Sequence, residues 1–251
     1  MANRARERFA EIASGSAAEI DLAEAALWIA AEARPDLDVA AYRVRLVELA
    51  LRAQPRLAGA LSARECAATL TRFLHDEVGL RGNRDEYYDP RNSYLCDVLD
   101  RGLGIPITLS IVWIDVARRL GQRAEGIAFP GHFLAKLQPG GGRRAPGERG
   151  PPSEVVVDCF SGRLLSEGEC RALLEQALGR AAVWKPELLA AAPPRQILAR
   201  LLRNLLPIHT QRGELGAALA CCDRIALVEP ESAGEMRALA AELRRRLRRV
   251  N

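Results

Sequence analysis

Hydrophobic positions over the first part of the chain recur every three or four places, the period of a helix that buries one side. Phe9, Ile12 and Ala13 form one such group, and Ile20, Leu22, Ala23, Ala26, Leu27, Ile29 and Ala30 a second. Val39 to Leu51 repeats the pattern through Val44, Val47 and Leu51, and Ala63 to Glu77 through Cys66, Leu70, Phe73 and Leu74. Pro35 and Pro55 punctuate the series, so residues 3 to about 78 are expected to be helices. Gly79 to Pro90 is a polar connection, and Asn92 or Ser93 is placed to cap a short helix reaching Leu99. From Ile107 to Val116 apolar residues run almost all round, the mark of a helix buried on most sides. Pro106 stands at its first turn, where a missing N–H costs nothing, and Arg118-Arg119-Leu120-Gly121 supplies cations and a glycine stop.

The period then changes. Glu125–Phe129, His132–Leu137 and Glu154–Asp158 are short runs of strand character. Residues 138–153, rich in Gly, Pro and Arg, are expected to be a long loop between two antiparallel strands. Ser166 and Glu169 form a capping pair for a helix to about Leu178. Pro193-Pro194 marks a boundary, after which 195–212 and 214–228 read as a helix pair joined at Gly213, with a third helix after Pro230. Leu202, Leu205, His209, Gly213, Ala218, Cys222 and Pro230 fall near a tetratricopeptide pattern. The expected organisation is a helical region over 1–34, an α+β domain over 35–192 and a helical region over 193–251.

Composition narrows the function without naming it. The 251 residues are 49% hydrophobic, which suits a globular protein. No apolar run approaches the ~18 residues of a membrane span, and the charged start Met1–Arg8 lacks the apolar stretch of a signal peptide. Net charge is +4, too even to point to nucleic acid by itself. The six cysteines, Cys66, Cys96, Cys159, Cys170, Cys221 and Cys222, contain no CxxC pair. They are read as reduced thiols of a cytoplasmic protein, with no metal site and no cofactor expected.

Candidate chemistry concentrates between Asn92 and Phe160. A catalytic thiol or hydroxyl needs a site that stabilises its anion, a base in contact and a group that orients the base. His132 and Asp158 lie on runs expected to pair as neighbouring strands, with His132, Leu134 and Lys136 on one face. The helix starting at Pro106 is the natural element to pack over them. Asp158 taken alone reads as a turn residue. Cys96 and Cys159 are the nearby thiols, and Thr108 the nearby hydroxyl. Arg101, with Asn92 and Asp97, is a candidate to line a pocket, while Gly102 and Gly104 match no phosphate-binding pattern.

Asn92-Ser93-Tyr94-Leu95, Gly104-Ile105-Pro106-Ile107, Pro130-Gly131-His132-Phe133 and Val155–Leu165 together resemble the SirB-type family of bacterial proteins. The resemblance implies a transglutaminase-like, papain-related core followed by a tetratricopeptide-type region. In that superfamily a nucleophilic Cys opens the central helix, and counting back from Leu120-Gly121 puts that position at Pro106, beside Ile107 and Thr108. The chain thus keeps the His and Asp and lacks the Cys. Two readings follow: a catalytically degenerate core that binds a peptide or protein, or an active amide hydrolase or acyltransferase using a displaced Cys96 with His132 and Asp158. A third, nucleic-acid binding, rests on the basic run Arg244–Arg249.

Overall fold

The computed structural model describes residues 2–60, 62–138 and 154–250. The chain divides into two compact units, one of residues 1–39, 85–97 and 193–251, the other of 40–84 and 98–192. The N-terminal and C-terminal helical regions therefore fall in the same unit.

In the second unit, α3 (Val39–Leu57) and α4 (Ala63–Arg72) precede a π-helical turn at Phe73–Glu77. Two short strands, β1 (Arg81–Gly82) and β2 (Leu103–Gly104), pair in parallel. The last turn of α5 (Leu95–Arg101) enters this unit at Val98. α6 (Pro106–Arg119) follows as the central helix. It starts where expected because Pro106 restricts Ile105 to extended backbone (φ −98°, ψ 167°). It stops in a Schellman turn, with Gln122 N donating to Ala117 O (3.0 Å) and Gly121 N to Arg118 O (2.9 Å). Pro106 to Ile114 are all buried, as are Val116 and Ala117.

Four antiparallel strands, β3 (Ala124–Ile127), β4 (Leu134–Leu137), β5 (Val155–Asp158) and β6 (Arg163–Leu165), lie in chain order. α6 packs on β3 and β4, and α4 on β5 and β6. A second apolar layer gathers Ile127, Phe129, Leu134 and Val156 with Cys170 and Leu174 of α7 (Glu167–Leu178), and with Trp184, Leu188 and Leu189. Cover on both faces explains why β4 and β5 are buried along their whole length instead of alternating. α7 carries the expected capping box between Ser166 and Glu169. The expected loop over 138–153 lies, except for Gln138, outside the described residues.

Two expectations change. α3 buries Leu46, Leu49, Ala50 and Ala53, while Val44, Val47 and Leu51 are exposed. The helix carries two apolar stripes, and periodicity alone does not choose between them. His132 is not on a strand: β4 begins at Leu134, and His132 N donates to Phe129 O (3.1 Å) across the Pro130-Gly131 turn.

The first unit holds α1 (Ala2–Ser14), α2 (Leu22–Ala33), α8 (Pro194–Gln211), α9 (Leu215–Val228) and α10 (Ala233–Val250). The last three are the expected helix pair and closing helix. Asp21 caps α2 by accepting from Glu24 N, and Arg195 donates to the carbonyls of Ala13 (2.9 Å) and Gly15 (3.1 Å) at the end of α1. Buried Arg224 lies over the Phe9 ring (5.0 Å), ion-pairs with Glu32 and donates to Trp28 O (3.2 Å). The ion pair, the ring and the carbonyl offset the burial of this charge, while its Nε is left without a hydrogen bond among the described residues.

Candidate functional site

Asp158 ends β5 opposite Arg163 of β6, and the four residues between them turn the chain. The carboxylate organises that turn. Its Oδ1 accepts from Phe160 N (3.0 Å) and Ser161 N (3.4 Å), and its Oδ2 from the Ser161 hydroxyl (2.6 Å). The same Oδ1 accepts from His132 Nε2 at 2.9 Å. Burial alone would raise the Asp158 carboxyl; the hydrogen bonds from His132 and Ser161 outweigh it and hold the group below its ordinary value. An ionised carboxylate only accepts, so Nε2 carries the proton in the neutral ring and Nδ1 is the basic nitrogen. His132 is aimed by Gly131, whose φ of +67° and close approach to Ala177 (2.6 Å from an added Cβ) admit only glycine without a shift.

The pair opens on a cavity of about 630 Å3. Arg84, Phe160, Ser161, Gln176 and an apolar strip of Leu165, Leu173 and Ala177 line it around His132 and Asp158. The Phe160 ring stands edge-on to His132 at 6.2 Å, and Arg84 stacks on Phe160 at 5.2 Å. Arg163 and Glu169, also in the lining, pair with each other at 2.5 Å. Arg84, Phe160 and Ser161 were not among the sequence candidates. The signal for Ser161 was the Asp158-Cys-Phe-Ser-Gly turn itself; for Arg84 there was none.

The other candidates lie elsewhere. Pro106 and Thr108 form the first turn of α6, where Ile105 is 3%, Ile107 1% and Thr108 0% exposed. The Thr108 hydroxyl accepts from Ile105 N and donates to Ile105 O, both at 3.1 Å. These two bonds close the first turn of the helix. Cys96 is 1% exposed and belongs to the first unit, whereas His132 belongs to the second. Asn92, fully buried in the first unit, donates to the carbonyls of Glu86 (2.7 Å) and Tyr87 (3.2 Å). Asp97 pairs with Arg34 at 2.6 Å, and Arg101 ends α5, half-buried. None of these lines the His132 cavity.

Burial pushes the Cys159 thiol up, Cys170 to about 11 and Cys221 to about 12, and raises Cys66 and Cys222 as well. Among the described residues no three His, Cys, Asp or Glu side chains group as a metal site, and no helix is long and apolar enough to cross a membrane. In the basic run, Arg244 faces Asp223 (3.7 Å) and Arg246 pairs with Glu242 (2.5 Å).

Comparison with known proteins agrees with this core. The family profile described as transglutaminase-like superfamily matches residues 40–203, beginning where the second unit begins. A UPF0162 protein of Xylella fastidiosa is 37% identical over 227 residues, 87% of this chain and 75% of that protein. One of Pseudomonas aeruginosa is 35% identical over 219 residues, 87% and 76% of the two chains. F-box only protein 21 of Homo sapiens is 32% identical over 145 residues, 56% of this chain and 21% of that protein. No solved structure matches. The chain belongs to the transglutaminase-like superfamily and, within it, to the UPF0162 proteins.

Proposed function

We propose that this protein is a peptide- or protein-binding module of the cytoplasm, built on a transglutaminase-like core that has lost its thiol chemistry. One contrast carries the reading: the His132–Asp158 pair lines an open cavity, while the first turn of α6 is buried and closed by Thr108. An anion at that turn would be desolvated and met by Ile105, Pro106 and Ile107 instead of a thiol. The raised thiols support the same conclusion, since a thiol without thiolate character is a poor nucleophile. The stretch similar to F-box only protein 21 is a fifth of that chain, which suits a module used inside larger proteins. Assignment to the SirB-type group, with α8 to α10 as a tetratricopeptide-type region, is part of the same proposal.

The test is the alkylation rate of each thiol in the native protein, mapped by mass spectrometry with and without His132→Ala. Six slow thiols, indifferent to the substitution, are expected. A single thiol faster than an unfolded-chain cysteine near neutral pH, and slowed by the loss of His132, would replace this reading with that of an active cysteine-dependent amide hydrolase or acyltransferase.

A further inference from the structure

The cavity at His132 is not chemically neutral. Arg84 is exposed on its rim, and among the described residues no carboxylate pairs with its guanidinium. Its flat face is occupied by Phe160, 5.2 Å from the ring centroid, which leaves the N–H edge for an acceptor lying in the guanidinium plane. Phe160 is itself fixed: Gly82 N donates to Phe160 O (3.1 Å), and a Cβ at Gly82 would lie 2.5 Å from the Phe160 ring. β1 therefore brings Arg84 and Phe160 together as one arm, on the cavity wall that also holds His132.

We propose that this arm is a carboxylate-binding subsite, and that the cavity takes a peptide through a single carboxylate on Arg84 with an aliphatic side chain along Leu165, Leu173 and Ala177. The inference rests on the binding-module reading and names its ligand class. Charge selects carboxylate over phosphate. Arg163 is neutralised by Glu169, and Asp158 is a fixed carboxylate in the same lining. Beside them Arg84, unpaired among the described residues, offers one cation to one negative charge; a phosphate dianion would bring twice that charge toward the Asp158 carboxylate. The guanidinium fork also fits a planar carboxylate through two parallel hydrogen bonds. The carboxylate comes from a peptide C-terminus or from an Asp or Glu side chain.

The experiment is affinity-selection mass spectrometry on the full chain. It uses a mixture of N-acetyl tripeptides, all residues at the first and second positions and Leu at the third, once as free acids and once as C-terminal amides. Retention of free acids, with loss of amides that contain no Asp or Glu, is the expected result. Retention of amides only where they contain Asp or Glu assigns the carboxylate to a side chain. Arg84→Gln should weaken retained peptides by roughly tenfold or more, and Arg84→Lys, which keeps the charge without the fork, by an intermediate factor. Arg84 is exposed, so both variants should melt with the parent. Equal retention of acids and neutral amides, unchanged in Arg84→Gln, overturns the carboxylate subsite and leaves the binding module standing. Displacement of retained peptides by inorganic phosphate at lower concentration than by acetate also overturns it. Retention of nothing from either mixture by the parent protein removes the peptide-binding reading together with its ligand.

Discussion

All three histidines hydrogen-bond a carboxylate, and two of them, His132 and His209, sit in opposite surroundings. His132 spends Nε2 on Asp158, whose side chain is 9% exposed, and lines an open cavity with its ring 17% exposed. His209, on α8, is 4% exposed and pairs Nδ1 with Glu214 at 2.5 Å, a carboxylate that is 46% exposed. Its Nε2 meets the Tyr94 hydroxyl at 2.8 Å, and burial holds that phenol above its ordinary range, so it stays a neutral donor. In the first case the anion is buried and the ring faces space a ligand can fill. In the second the ring is buried and both nitrogens are consumed inside the protein. A His–carboxylate contact is thus a site or a pin according to which partner is desolvated.

The contrast can be broken by substitution. His209→Ala should have the largest effect, about 2–4 kcal/mol of stability by denaturant titration, because it leaves a cavity and an unpartnered Tyr94 hydroxyl. Asp158→Asn should cost about 1–3 kcal/mol near neutral pH, since a buried acceptor of several hydrogen bonds loses its charge. That cost has a pH signature. The folded Asp158 carboxyl lies below its unfolded value of about 4, so its stabilisation is present above that value and is lost as pH falls through the folded one. The gap between parent and variant should therefore close in acid, and a gap independent of pH would assign it to packing. His132→Ala should be mildest, about 1 kcal/mol or less, because Ser161 and Phe160 N continue to hold Asp158. If it destabilises as much as His209→Ala, His132 is a pin too and the distinction fails.

Legibility in the sequence followed the range of each interaction. The ends of α6 and the start of α7 were readable because Pro106, Gly121, Ser166 and Glu169 act within a few residues of themselves. The start of α8 at Pro194 was readable for the same reason. The His132–Asp158 contact followed from strand order, although a turn and not a strand presents His132. Arg84 was invisible because its role depends on β1 pairing with β2 and on Gly82 meeting Phe160, contacts between distant segments. The outward stripe of α3 was invisible because Val44, Val47 and Leu51 satisfy helical periodicity as well as Leu46, Leu49 and Ala53 do. The buried role of Thr108 could not be told from a catalytic one by residue type.

The interleaved build of the first unit sets a schedule for synthesis. Arg224 donates to Trp28 O across 196 residues of chain, and α2, buried over most of its length, also packs against α8. At ordinary elongation rates that separation is roughly 10 to 40 s of translation. For that interval the newborn protein carries an apolar helix packed on α1 alone, before the residues of α8 and α9 that complete its cover exist. Its yield in vivo should therefore track the supply of ribosome-associated chaperones more closely than the stability of the finished molecule.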